Sequence, residues 1–118
     1  MSDFGAYLRE RREALLAERG GAFSLRQVAA RVGVEPAYLS KVERGEVSPP
    51  SEATIRRLAA ELEEDPDVLL ALAGKVSGDL LEIIRRRPRL FAELIRALRD
   101  APEHAVLRIV REVREGDW

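Results

Sequence analysis

The sequence predicts an all-α protein, with a head of five helices over residues 1–75 and about three further helices over residues 76–118. Three observations lead there. Apolar residues recur at intervals of three and four along most of the 118-residue chain, and no alternating strand pattern or internal repeat interrupts them. The composition leans on Arg, Ala, Leu and Glu, all good helix formers. The punctuation (Gly20-Gly21, Gly45, Pro49-Pro50, Gly74, Pro88, Pro102 and Gly116) falls at helix-length intervals.

The first helix is predicted from about Phe4 to Arg19, with Phe4, Leu8, Leu15 and Leu16 on one face, and it stops at Gly20-Gly21. The second starts after Ser24, where Ser24 and Gln27 match a capping box, and turns Leu25, Val28, Ala29 and Val32 inward. The third begins near Pro36, a residue suited to a first helical turn, and ends at Gly45. Ser51 caps the fourth, with Ile55, Leu58, Ala59 and Leu62 inward. Asp65-Pro66-Asp67 opens the fifth, with Val68, Leu69 and Leu72 expected inward. Beyond Lys75, Ser77-Gly78-Asp79 opens the sixth, Pro88 the seventh, and Pro102-Glu103 the eighth. The seventh carries a wide stripe of Leu90, Phe91, Leu94, Ile95 and Leu98.

The stretch Ser24–Gly45, SLRQVAARVGVEPAYLSKVERG, carries the strongest functional signal. Counted from Leu25, Ala29 is fifth, Gly33 ninth, Leu39 fifteenth and Val42 eighteenth. A small residue sits where two helices cross, a glycine where a tight turn asks for positive φ, and two apolar residues point inward from the second helix. That is the spacing of a helix-turn-helix, whose second helix is free to enter a DNA major groove.

On the third helix, Ala37, Tyr38, Lys41 and Arg44 form one outward stripe, while Leu39, Val42 and Glu43 fall on the other side. Lys41 suits guanine O6 or N7, or a phosphate; Ala37 suits a thymine methyl. Tyr38 suits a phosphate or a base edge, and the marginal Ser40 a phosphate. Ser24, Arg26 and Gln27 at the start of the second helix, with Arg44 and with Ser48 or Ser51 beyond the third, are the candidate phosphate holders. Arg12 interrupts the apolar stripe of the first helix and Glu43 sits on the inner face of the third. Two opposite charges on facing surfaces predict a structural ion pair that sets the angle of the recognition helix.

The net charge of −1 is unevenly spread. Residues 9–44 carry eight Lys/Arg against five Glu, residues 61–67 carry five acids, and residues 85–89 (RRRPR) four arginines. The acidic run is expected to be a solvated face with capping duties, turned away from DNA. With no cysteine and a single histidine, His104, the chain offers no metal-ligand pattern and no cofactor is implied. No Ser/His/Asp set, phosphate-cradling loop or HExxH appears, so an enzyme is not expected. The lack of cysteine, signal-peptide pattern and long apolar run leads to the expectation of a cytoplasmic protein.

With these residues in view, the first ~75 residues resemble the Cro/C1-type, or XRE, helix-turn-helix family. The matching segments are LRERR, Ser24–Val32, YLSKVERG, SPPSEATIRRLAAEL and DPDVLLALAG. The resemblance implies a five-helix, lambda-repressor-like DNA-binding domain that binds operators as a dimer and usually represses. It also implies the Arg12–Glu43 pair, common in the family. Leu25 stands where many members have a DNA-contacting Gln, and Pro36 where some place a base-reading Gln, so readout shifts to Ala37, Tyr38 and Lys41.

The tail Ser77–Trp118 is similar to the helical extension of some stand-alone members, a few of which are encoded beside a metallopeptidase that cleaves that tail. From the residues, the tail is expected to form a homodimer through Leu90, Phe91, Leu94, Ile95 and Leu98. Open alternatives are a repressor inactivated by such a metallopeptidase, an antitoxin whose tail neutralises a partner toxin, and an interaction module that no longer binds DNA.

Overall fold

The computed structural model describes residues 4–118 and, among them, eight α-helices with no strand. They are α1 (Phe4–Arg19), α2 (Leu25–Val32), α3 (Pro36–Glu43), α4 (Glu52–Glu61), α5 (Pro66–Leu72), α6 (Gly78–Arg86), α7 (Pro88–Leu98) and α8 (Glu103–Glu115). A single 3-10 turn, Gly21–Phe23, joins α1 to α2. The chain divides into two compact units, the first ending at Ser77 and the second spanning Gly78–Trp118.

The head is held by local caps and one apolar core. Ser24 Oγ accepts from the Gln27 N–H, Ser51 Oγ from the Thr54 N–H, and Asp65 Oδ1 from the Asp67 N–H, so α2, α4 and α5 each start with an orphan donor satisfied. Leu8, Leu15, Val28, Leu39, Ile55, Leu58, Leu62 and Leu70 are buried together, joining α1 to α5. Each such side chain contributes about 1.5–3 kcal/mol by leaving water. Ala29 is 0% exposed at the α2 crossing, where a larger side chain would force the helices apart.

Helix α5 is rotated from its expected setting. Leu69 and Leu70 are buried, Leu72 and Ala73 pack on the core, and Val68 is exposed. The Asp65 cap fixes where this two-turn helix begins, and the core then receives positions spaced i, i+1, i+3 and i+4, which leaves Val68 on the outer edge.

Backbone approach and side-chain-to-backbone bonds complete the head. Arg11 Nε donates to the Leu62 carbonyl at 2.9 Å and Arg57 Nε to the Val32 carbonyl at 2.9 Å, so arginines satisfy the open C-terminal ends of α4 and α2. The acidic run is not a simple solvated face. Glu61 pairs with Arg31, Glu63 with Arg19, and the Tyr7 hydroxyl donates to Glu64. The Arg19 and Arg31 guanidinia both lie over the Phe23 ring, 5.8 and 5.5 Å from its centre.

The second unit differs in kind. None of α6, α7 and α8 has a buried residue, although each has a pronounced apolar face. Leu90, Leu94 and Ile95 are exposed, and Phe91 and Leu98 half-buried. At its end Trp118 folds back, its indole N–H donating to the Val113 carbonyl at 3.0 Å.

Candidate nucleic-acid interface

The geometry of the turn follows from three residues. Gly33 adopts φ 87°, ψ 31°, and its N–H reaches the Ala29 carbonyl, closing α2 in the left-handed cap that glycine takes without a Cβ penalty. Val34 N–H bonds the same carbonyl. Pro36 then begins α3 with a φ already suited to a helix and no N–H to satisfy.

Two contacts from α1 fix how α3 lies. Arg12 Nε and Nη2 meet the two Glu43 carboxylate oxygens at 2.7 and 2.9 Å, a bidentate pair, and Arg12 Nη1 adds the Phe23 carbonyl at 3.3 Å. The residues are 7% and 8% exposed, so the pair is desolvated and its partners are accounted for. The Glu43 carboxylate holds the Arg12 guanidinium even more firmly protonated than an ordinary arginine. Two turns earlier, Gly5 lies against the end of α3. A Cβ there would stand 2.2 Å from the Val42 carbonyl oxygen and 2.7 Å from that of Glu43. Gly5 therefore lets two backbones approach as no other residue would.

The outward side of α3 presents Ala37, Lys41 and Arg44, all exposed, with Tyr38 half-buried and leaning on the core. Lys41 makes no ion pair with a described residue and is free to meet a base edge or phosphate. Arg44 is engaged: its Nε bonds Glu46 at 2.6 Å and another nitrogen bonds the Ser40 hydroxyl. That bond lowers the Glu46 pKa and raises that of Arg44. A phosphate contact by Arg44 would therefore begin with release of Glu46. At the start of α2, Arg26 and Gln27 are exposed and the Ser24 hydroxyl oxygen is occupied by its cap. Ser48 is exposed in the loop after α3.

An open cleft of about 220 Å³ separates α1 from the helix-turn-helix, lined by Arg9, Arg12, Leu25, Ser40, Glu43 and Arg44. It places Arg9 beside the candidate interface. Sequence reasoning did not single out Arg9, which pairs at the surface with Glu13; the signal was the run LRERR, three arginines of which only Arg12 turns into the core. His104 is exposed in the first turn of α8, and among the described residues no three candidate metal ligands lie together. No helix among them is long and apolar enough to cross a membrane.

The fold and this face define a helix-turn-helix domain with an exposed recognition helix. The chain belongs to the family described as the helix-turn-helix domain, which matches residues 3–72. A relative from Bacillus subtilis (strain 168), named an uncharacterized HTH-type transcriptional regulator RghRB, is 38% identical over 78 residues, covering 66% of this chain and 52% of that protein. The chain thus spans about half the length of this relative. No solved structure matches the chain.

Proposed function

We propose that this protein is a DNA-binding transcriptional regulator, a repressor that binds a near-palindromic operator as a homodimer. The observation that carries the reading is the exposed Ala37–Lys41–Arg44 face of α3, on a helix whose angle is set by a buried bidentate ion pair. Such a face, with helix N-termini and arginines beside it, suits major-groove docking with phosphate contacts on either side. The name of the Bacillus subtilis relative supports regulation of transcription.

The dimer reading rests on the tail. Helices α6–α8 bury nothing fully, and Leu90, Phe91, Leu94, Ile95 and Leu98 form one apolar face on α7. A two-fold pairing of that face brings two recognition helices to bear on half-sites about one DNA turn, ~34–36 Å, apart. Leu94→Glu is expected to halve the mass in light scattering and weaken DNA binding; an unchanged mass rejects the interface. The reading as a whole is tested by footprinting on DNA upstream of the protein's own gene at two salt concentrations. A salt-sensitive protected near-palindrome supports it, and absence of protection at low salt contradicts it.

A further inference from the structure

The tail carries a feature that dimerisation does not explain and helix formation explains only by half. Arg85, Arg86, Arg87 and Arg89 fall within five residues, with no acidic residue between Glu82 and Glu93. All four are exposed at the corner between α6 and α7. In the tail Arg108 pairs with Glu112, and none of the ion pairs among the described residues includes one of the four corner arginines. The head treats its arginines differently. All its described arginines but Arg26 hold a carboxylate, a hydroxyl or a carbonyl.

Helix energetics account for half of the cluster. Arg85 and Arg86 lie in the last turn of α6, where the helix dipole favours cations. Arg87 and Arg89 lie at the opposite kind of end. Arg87 is the N-cap of α7 and makes no side-chain capping bond; Arg89 follows Pro88 in the first turn. An arginine has no acceptor with which to cap, and a cation in a first turn opposes the dipole. Stability alone favours Ser, Thr, Asp or Asn at the cap and an acid after it. Four mutually repelling charges, two of them at a disfavoured helix end, fit a polyanion that neutralises them.

We infer that Arg85, Arg86, Arg87 and Arg89 form a second contact with the phosphate backbone of duplex DNA, separate from the helix-turn-helix. This rests on the reading of the chain as a DNA-binding protein. DNA is favoured over other polyanions because the head already brings the tail to it: a tethered patch meets the neighbouring phosphates at an effective concentration on the order of millimolar. The contact reads no sequence. It adds affinity and salt dependence, and leaves base preference to α3.

The test uses the full chain and duplex DNA, with the observed binding constant measured against salt. Replacing all four arginines by Gln is expected to lower the slope of log K against log salt by about 3–4 for each protomer on the DNA, since each neutralised phosphate contributes ~0.9. Replacing all four by Lys should keep the slope, and preference among DNA sequences should be unchanged in both. The milder pair Arg87→Gln and Arg89→Gln, which leaves α6 untouched, should lower it by about 2 for each protomer. A slope that moves by less than about 1 in the four-Gln protein, while the wild type binds DNA, overturns this inference and leaves the proposed function standing. A wild-type chain that does not bind duplex DNA overturns both. An unchanged DNA slope with lost binding to phosphatidylserine vesicles overturns it in favour of a membrane surface.

Discussion

Removing Arg12 is the perturbation whose consequence the structure defines best. In Arg12→Ala the Glu43 carboxylate, 8% exposed, loses both of its guanidinium bonds, and the Phe23 carbonyl loses a donor. Truncating one partner of a buried pair costs about 3–5 kcal/mol, because the remaining charge is left desolvated and unpaired. That is a large share of the ~5–15 kcal/mol that holds a typical domain together. For a head of this size each kcal/mol moves Tm by roughly 4–8 °C, so the midpoint should fall by at least about 12 °C. Urea and thermal unfolding followed by circular dichroism measure this directly. Replacing both residues, as in Arg12→Met with Glu43→Leu, should recover most of the loss, since no charge is then buried. The double variant should still bind DNA more weakly, because an apolar contact does not fix the angle of α3 as a bidentate bond does. A loss below about 1 kcal/mol in Arg12→Ala, the value of an exposed pair, would refute the reasoning. Full DNA affinity in the double variant would refute the orienting role.

Three further outcomes are expected. Gly5→Ala places a methyl 2.2 Å from the Val42 carbonyl oxygen, so unfolding experiments should show a loss of about 1–3 kcal/mol from displaced backbone; unchanged stability would contradict the close approach. Lys41→Ala should lower affinity for a selected DNA site by about 1–3 kcal/mol if the amine reads a guanine, with no change in Tm; unchanged affinity removes Lys41 from the interface. The Tyr7 hydroxyl bond, with the Asp65 N–H, holds the Glu64 carboxyl below its usual range, so its contribution is present above about pH 4.3 and fades as pH falls through the lowered value. The same bond raises Tyr7, whose contribution is present below about pH 10 and is lost as pH rises through the raised value. Tyr7→Phe should flatten both limbs of the stability–pH curve, and curves parallel to the wild type would count against the bond.

What the sequence made legible was local. Gly33, Ser24, Ser51 and Asp65 announce caps and turns through chemistry that acts within a few residues, and the helix periods follow from apolar spacing. Arg12 and Glu43 stand out because each interrupts an apolar stripe, and the structure holds them 2.7 Å apart. Devices that depend on distant packing were silent. The need for Gly5 comes from the end of α3 laid against it, 37 and 38 residues away in the chain at Val42 and Glu43. Arg11 and Arg57 each close the C-terminus of another helix, a role that no local pattern announces. Glu63 sits at φ 56°, in the left-handed cap that ends α4, where glycine is usual, and from there meets Arg19. The rotation of α5 depended on which face the core accepted, a choice two helical turns of leucine and alanine leave open. On the candidate interface, the stripe on α3 was readable from its spacing, whereas the hold of Glu46 on Arg44 was not, because a loop's path decides it.

The most direct test of the central claim is to map the amide chemical shifts of the full chain while adding a duplex that it has itself selected from a random library. The account predicts that the largest changes fall on Ala37, Tyr38, Lys41 and Arg44 and on Arg26 and Gln27, with the core-facing Leu39 and Val42 moving less. Changes that leave α3 and the start of α2 unmoved, while the DNA binds elsewhere on the chain, would contradict it.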